Sequence, residues 1–91
     1  MTDLNQRTEE ISDLVSKLTP ISDMAILLGV TEIELREALD DPTSPAAYAY
    51  KAAKARVALQ LRERDIELAS AGSPTAAENV EYYFRQMLQD E

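Results

Sequence analysis

The 91-residue chain has no cysteine and no histidine. The first absence excludes disulfides and thiolate metal sites. The second removes the usual general base, the usual imidazole ligand and the usual switch near neutral pH. There is no tryptophan, and four tyrosines with one phenylalanine supply all the aromatic bulk. The two glycines lie far apart, so no glycine-rich loop can cradle a phosphate. No apolar run approaches the ~20 residues that a membrane span needs. The opening MTDLNQRTEE is polar and mixed in charge, unlike a secretory signal. The expectation is a cytoplasmic protein with no membrane contact, no cofactor, no metal and no enzymatic chemistry.

What is present favours helix. Apolar residues make up 45% of the chain, but many are alanine. Such a core is thin for a chain of this length, which points to oligomerisation as a second source of burial. The net charge of −8 is unevenly spread. Residues 1–44 carry three bases against ten acids, residues 45–64 five bases against one acid, and residues 65–91 one base against six acids. One basic stretch is thus embedded in an acidic protein.

The spacing predicts an all-α fold. Leu4, Ile11, Leu14, Val15 and Leu18 recur at helical intervals, giving a first helix over about Asp3 to Leu18. Pro20 stops it and opens a short second helix, with Thr19 as N-cap and Gly29 as left-handed C-cap. Thr31-Glu32-Ile33-Glu34 reads as a capping box that starts a third helix, reaching about Asp40 and burying Leu35, Ala38 and Leu39. After the Asp41–Pro45 loop, Ser44 caps a fourth helix with Pro45 at its first position. That helix meets no Gly or Pro until Gly72, a span of about 40 Å at ~1.5 Å per residue. A compact chain of this length has a radius of gyration near ~12 Å, so the helix must protrude or be covered by another subunit. Ser73-Pro74 opens a return helix with Ala77, Val80, Phe84, Met87 and Leu88 along one stripe. Residues 1–44 are thus expected to form a helical bundle and residues 45–91 a long helical hairpin suited to oligomerisation, within one folding unit.

Residues 21–40 fit a helix-turn-helix. Ala25 is small where two helices cross, Gly29 turns the chain, Val30 plugs the turn, Thr31 caps and Leu35 anchors. Docked in a major groove, such a unit would present Thr31, Glu32, Ile33, Arg36, Glu37 and Asp40. Three acids there oppose phosphate, and Arg36 stands at the right spacing to pair with Glu32 or Asp40. The other candidate is the basic stretch of the fourth helix. Lys51, Lys54 and Arg62 fall near one face that could track phosphates. The alternative for this stretch is a solvated face balanced by acidic segments of neighbouring subunits. Tyr48 and Tyr50 are expected to pack on the helix-turn-helix. Tyr82, Tyr83 and Phe84 are expected in the core or at a subunit contact. Asp40 and Asp41 lack calcium-loop spacing.

Two segments carry a resemblance. MAILLGVTEIELREALDDPTSPAAYAY combines the helix-turn-helix pattern with an Asp-Pro loop and a tyrosine-bearing helix start. LRERDIELASAGSPTAAENVEYYFRQML is a long-helix end, a Gly-Ser-Pro turn and a return helix. In this order they resemble the small subunits of tailed-phage terminases. The resemblance implies that the helix-turn-helix engages packaging-site double-stranded DNA through Thr31, Ile33 and Arg36. It also implies that the central helices assemble a homo-oligomeric ring, and that the C-terminal region meets the terminase large subunit. The acidic recognition helix motivates the alternative, a protein-interaction or scaffolding module whose helix-turn-helix does not bind DNA.

Overall fold

In the computed structural model, which describes residues 3–91, all regular structure is helical. A 3-10 turn at Leu4–Gln6 precedes α1 (Thr8–Ser16), α2 (Ile21–Leu28), α3 (Glu32–Asp40), α4 (Pro45–Ser70) and α5 (Pro74–Gln89). No strand occurs among the described residues, and the fold class is all-α. The first two residues of the expected bundle lie outside the described residues. The chain groups into two compact units, Met1–Val57 and Ala58–Glu91. The division falls inside α4 rather than at the 44/45 loop, because Ala46 and Ala53 belong to the N-terminal core.

In the first unit, α1, α2 and α3 each contribute one fully enclosed side chain, Ile11, Met24 and Leu35. Leu4, Val15, Ala25 and Leu28 complete the cluster with Ala46 and Ala53 of α4. The two alanines are seven residues apart, so they share one side of α4, and their small size lets the other helices approach closely. Ala38, Leu39 and Tyr50 pack against this cluster half-buried. Ser44 is the buried polar residue among the described residues of the unit, and it is satisfied twice. Its hydroxyl donates to the Ala38 carbonyl (2.8 Å) and accepts from the Ala47 amide (2.9 Å), joining the end of α3 to the start of α4. The Ala46 amide donates to Asn5 Oδ1 (3.2 Å), which ties the 3-10 turn to the same place.

Three expectations for the N-terminal helices are corrected. The first helix breaks at Arg7 into a 3-10 turn and α1. The Arg7 guanidinium donates to the Leu28 carbonyl (2.6 Å) and forks onto Glu10 (3.1 and 2.7 Å). A cation at the carbonyl end of α2 suits the helix dipole. Contact with Arg7 holds Glu10 below the usual carboxylate range, chiefly through the hydrogen bond. Second, Pro20 is the N-cap of α2 rather than its first residue, because its ψ of 153° is extended. Third, Leu18 leaves the apolar stripe and is 65% exposed. It sits at φ 62°, where its amide donates to Val15 O (2.9 Å) and Thr19 donates to Leu14 O (3.1 Å). These bonds close α1 as a glycine would, but in a leucine.

The second unit is a helical hairpin. Gly72, at φ 101°, donates to Ala69 O (3.0 Å), and Ser73 donates to Leu68 O (3.0 Å), which closes α4. Ser73 Oγ then accepts from the Ala76 amide (3.3 Å) and caps α5. Across the hairpin, the Tyr83 hydroxyl donates to Asp65 Oδ2 (2.7 Å). Ala76 is the buried apolar residue of this unit.

The left-handed conformation costs a leucine about 1–2 kcal/mol that glycine does not incur. Leu18→Gly is therefore expected to stabilise the first unit by about 1 kcal/mol after its greater unfolded-state entropy. Urea unfolding followed by circular dichroism checks the midpoint, and an unchanged or lowered midpoint would contradict the strain.

Candidate functional site

The segment joining α2 to α3 is built as the residue types require. Gly29 closes α2 at φ 75°, donating to Ile26 O (3.1 Å), while Val30 donates to Ala25 O (3.0 Å). A Cβ at Gly29 would meet nothing within 4 Å, so backbone conformation and not space requires the glycine. Val30 packs half-buried on the core, and Ala25 and Leu35 are buried. Thr31 Oγ1 accepts from the Glu34 amide (3.1 Å), and Glu34 Oε1 accepts from the Thr31 amide (3.4 Å) and hydroxyl (3.0 Å). The capping box is complete. The Thr31 hydroxyl hydrogen is committed to it, so an outside ligand competes with Glu34.

On the outer side of α3, Ile33 is 70% exposed. Arg36 donates to Glu32 Oε1 (3.0 Å), the intrahelical pair that its spacing allows. Both side chains are about half-exposed, so the pair is weak and screened by salt. At the loop after α3, the Thr43 amide and hydroxyl bind Asp41 Oδ1 (3.0 and 2.7 Å) and hold its carboxyl below the usual range.

Lys51, Lys54 and Arg56 are exposed on the part of α4 that belongs to the first unit. None forms an ion pair among the described residues. Lys54 Nζ lies 5.8 Å from the Tyr50 ring centroid, within cation–π range. Tyr48 is 75% exposed and does not pack inward as expected, because the neighbouring Ala47 and Ala49 take the buried positions. Tyr48 and Arg56 border a shallow groove floored by Ala49 and Ala52, of about 440 Å³.

Arg62 is assigned to a different unit from these cations. It belongs to the second unit and is half-buried, lining a groove of about 720 Å³ between α4 and α5. Leu59, Ile66, Val80, Phe84 and Met87 supply the apolar lining. The hydrogen bond to Asp65 raises the Tyr83 phenol, burial and the Asp65 charge add to this, and Arg62 opposes it. Tyr82 and Phe84 are more than half exposed and close no core. Thus Thr31, Ile33, Arg36, Lys51 and Lys54 share the first unit, and Arg62 does not. The groove escaped notice in the sequence because its stripe reads equally as an ordinary hairpin contact. Among the described residues, no helix is long and apolar enough to cross a membrane.

No family model, curated protein or solved structure matches this chain. The functional reading therefore stands on the residues themselves.

Because its folded-state pKa is raised, Tyr83 contributes stability that is present below the ordinary tyrosine pKa near ~10 and lost as pH rises through the folded value. Absorbance titration is expected to show a late phenolate step, above the ordinary tyrosine range, and Tyr83→Phe to remove it. A late step that survives Tyr83→Phe would refute the assignment.

Proposed function

We propose that the chain is a non-catalytic DNA-recognition adaptor that works as a homo-oligomer on double-stranded DNA in the cytoplasm, as terminase small subunits do. One observation carries this reading. The exposed cations Lys51, Lys54 and Arg56, free of carboxylate partners among the described residues, belong to the same folding unit as the α2–turn–α3 segment. Phosphate contacts by such cations supply sequence-independent affinity, and the turn-and-helix unit offers Ile33 and Arg36 for base contact. A single acidic copy would bind weakly, so several copies acting together are part of the proposal, with a terminase large subunit as the downstream partner.

Fluorescence anisotropy on a labelled duplex, repeated across salt concentrations, tests it. Wild-type affinity should fall steeply with salt. Lys51→Ala/Lys54→Ala should lower the log–log slope by about 2, one per lost phosphate contact. Absent or salt-insensitive binding would sink the DNA reading.

A second reading, a protein-interaction module, is favoured by the outer side of α3. Arg36 is occupied by Glu32, and the neighbouring Ile33 is bare. Exposed branched aliphatics beside paired charges suit a protein contact better than a phosphate backbone. Under this reading Ile33→Asp abolishes a protein partner's capture and leaves helix content and DNA affinity unchanged. Loss of DNA binding with that single change would instead favour the first reading.

A further inference from the structure

We propose that the outer sides of α2 and α3 form a docking surface for a basic amphipathic helix of another protein. This rests on the protein-contact reading of α3 and adds the chemistry of the partner.

Three branched aliphatics stand in water beside one tight turn. Ile26 and Leu27 lie in the last turn of α2 and are 76% and 64% exposed. Ile33 lies in the first turn of α3 and is 70% exposed. Only residues 29–31 separate the two helices. The core draws nothing from these positions, because Met24, Ala25 and Leu28 already face inward from α2 and Leu35 from α3. Exposed aliphatics grouped at one turn, rather than scattered singly, mark a contact surface.

Charge gives the chemistry of the partner. Each of the three bases in residues 1–44 is held in an ion pair, Arg7 with Glu10, Lys17 with Asp13 and Arg36 with Glu32. The other seven acids of that stretch have no cationic partner among the described residues. Three of them flank the aliphatics. Asp23 stands three and four residues before Ile26 and Leu27, Glu37 stands four after Ile33, and Asp40 seven after it. All three acids are exposed, on the same sides of their helices as the aliphatics. The cation at such a spacing is Arg36, three residues after Ile33, and Glu32 holds it.

The surface therefore suits apolar groups flanked by unopposed cations. A phosphate backbone and an anionic lipid surface bring the wrong sign. Another copy of this chain brings the basic stretch of α4. The alanine side of that stretch is turned into its own core, which leaves Tyr48 as its exposed large side chain. An amphipathic helix with Lys or Arg beside its apolar stripe supplies both requirements within each turn.

The test uses the full chain and two labelled helical peptides with the same leucine stripe, one carrying lysine and the other glutamate at its polar positions. Fluorescence anisotropy should show binding of the lysine peptide and none of the glutamate peptide. Ile26→Ser/Leu27→Ser and Ile33→Ser should each weaken binding about tenfold, as the loss of a central anchor does. Asp23→Lys/Glu37→Lys should weaken it about tenfold as well, while Glu78→Lys/Glu81→Lys, an equal change of net charge in the second unit, should leave it within about twofold. All the substituted side chains are exposed, so helix content by circular dichroism should not change. Binding of both peptides or of neither, aliphatic variants that bind like wild type, or a second-unit reversal as damaging as the first would overturn the proposal. Duplex binding lost with Ile33→Ser would give the surface to DNA, and an oligomer lost with Ile26→Ser/Leu27→Ser would give it to a second copy. Either result also overturns it. A chain that binds neither peptide, yet loses a protein partner with Ile33→Asp, would remove the basic helix and leave the protein-contact reading standing.

Discussion

Ile11, Met24 and Leu35 meet against the alanine side of α4, and the placement of the other groups in the first unit follows from that contact. Alanine is what makes it possible. A larger side chain at Ala46 or Ala53 would hold α4 away from the three short helices and leave voids around the enclosed aliphatics. With one side of α4 fixed inward, its periodicity leaves Tyr48, Lys51 and Arg56 in solvent. The same contact brings Ser44 to the end of α3, where its hydroxyl closes one helix and opens the next.

The two units solve the problem of a thin core differently. The first surrounds three enclosed side chains with leucines, a valine and alanines, and among the described residues it leaves no buried side-chain polar atom without a partner. The second replaces packing with a polar clasp, Tyr83 on Asp65, and keeps its leucines and Phe84 half exposed. A hydrogen bond of this kind contributes of order 1 kcal/mol net, which does not substitute for a core. The difference lies in composition along one helix. Residues 46–55 of α4 are mostly alanine, and residues 59–68 combine three leucines and an isoleucine with five charged residues.

Local chemistry was legible in the sequence. Gly29, Thr31 with Glu34, Ser44, and Ser73 with Pro74 each end or start a helix through groups a few residues away, so their roles could be read without the fold. The Arg36–Glu32 pair was legible for the same reason. What was not legible depends on distant partners. Arg7 breaks the first helix because its guanidinium reaches the end of α2, 21 residues away. Leu18 adopts a positive φ against its own preference, because the α1–α2 corner must turn where no glycine stands. Tyr48 points outward because alanines occupy the buried side, a choice that alternating small and large residues left open. At the candidate site, the residue types on α3 and α4 were readable. The assignment of Arg62 to a different unit from Lys51 and Lys54 was not, since nothing in the local sequence of α4 marks the boundary at Val57.

That shared helix has a dynamic consequence. From Pro45 to Ser70 the backbone ladder of α4 is unbroken by glycine or proline. Helices open most cheaply from their ends, and local opening costs least where few apolar contacts hold the turn. The turns near Ala46 and Ala53 are pinned by the N-terminal core, and those beyond Val57 belong to the hairpin, whose buried apolar residue is Ala76. Amide protons along α4 are therefore expected to exchange on a gradient, slower around Ala53 and faster toward Ser70, so that one continuous helix would report the stability of both units.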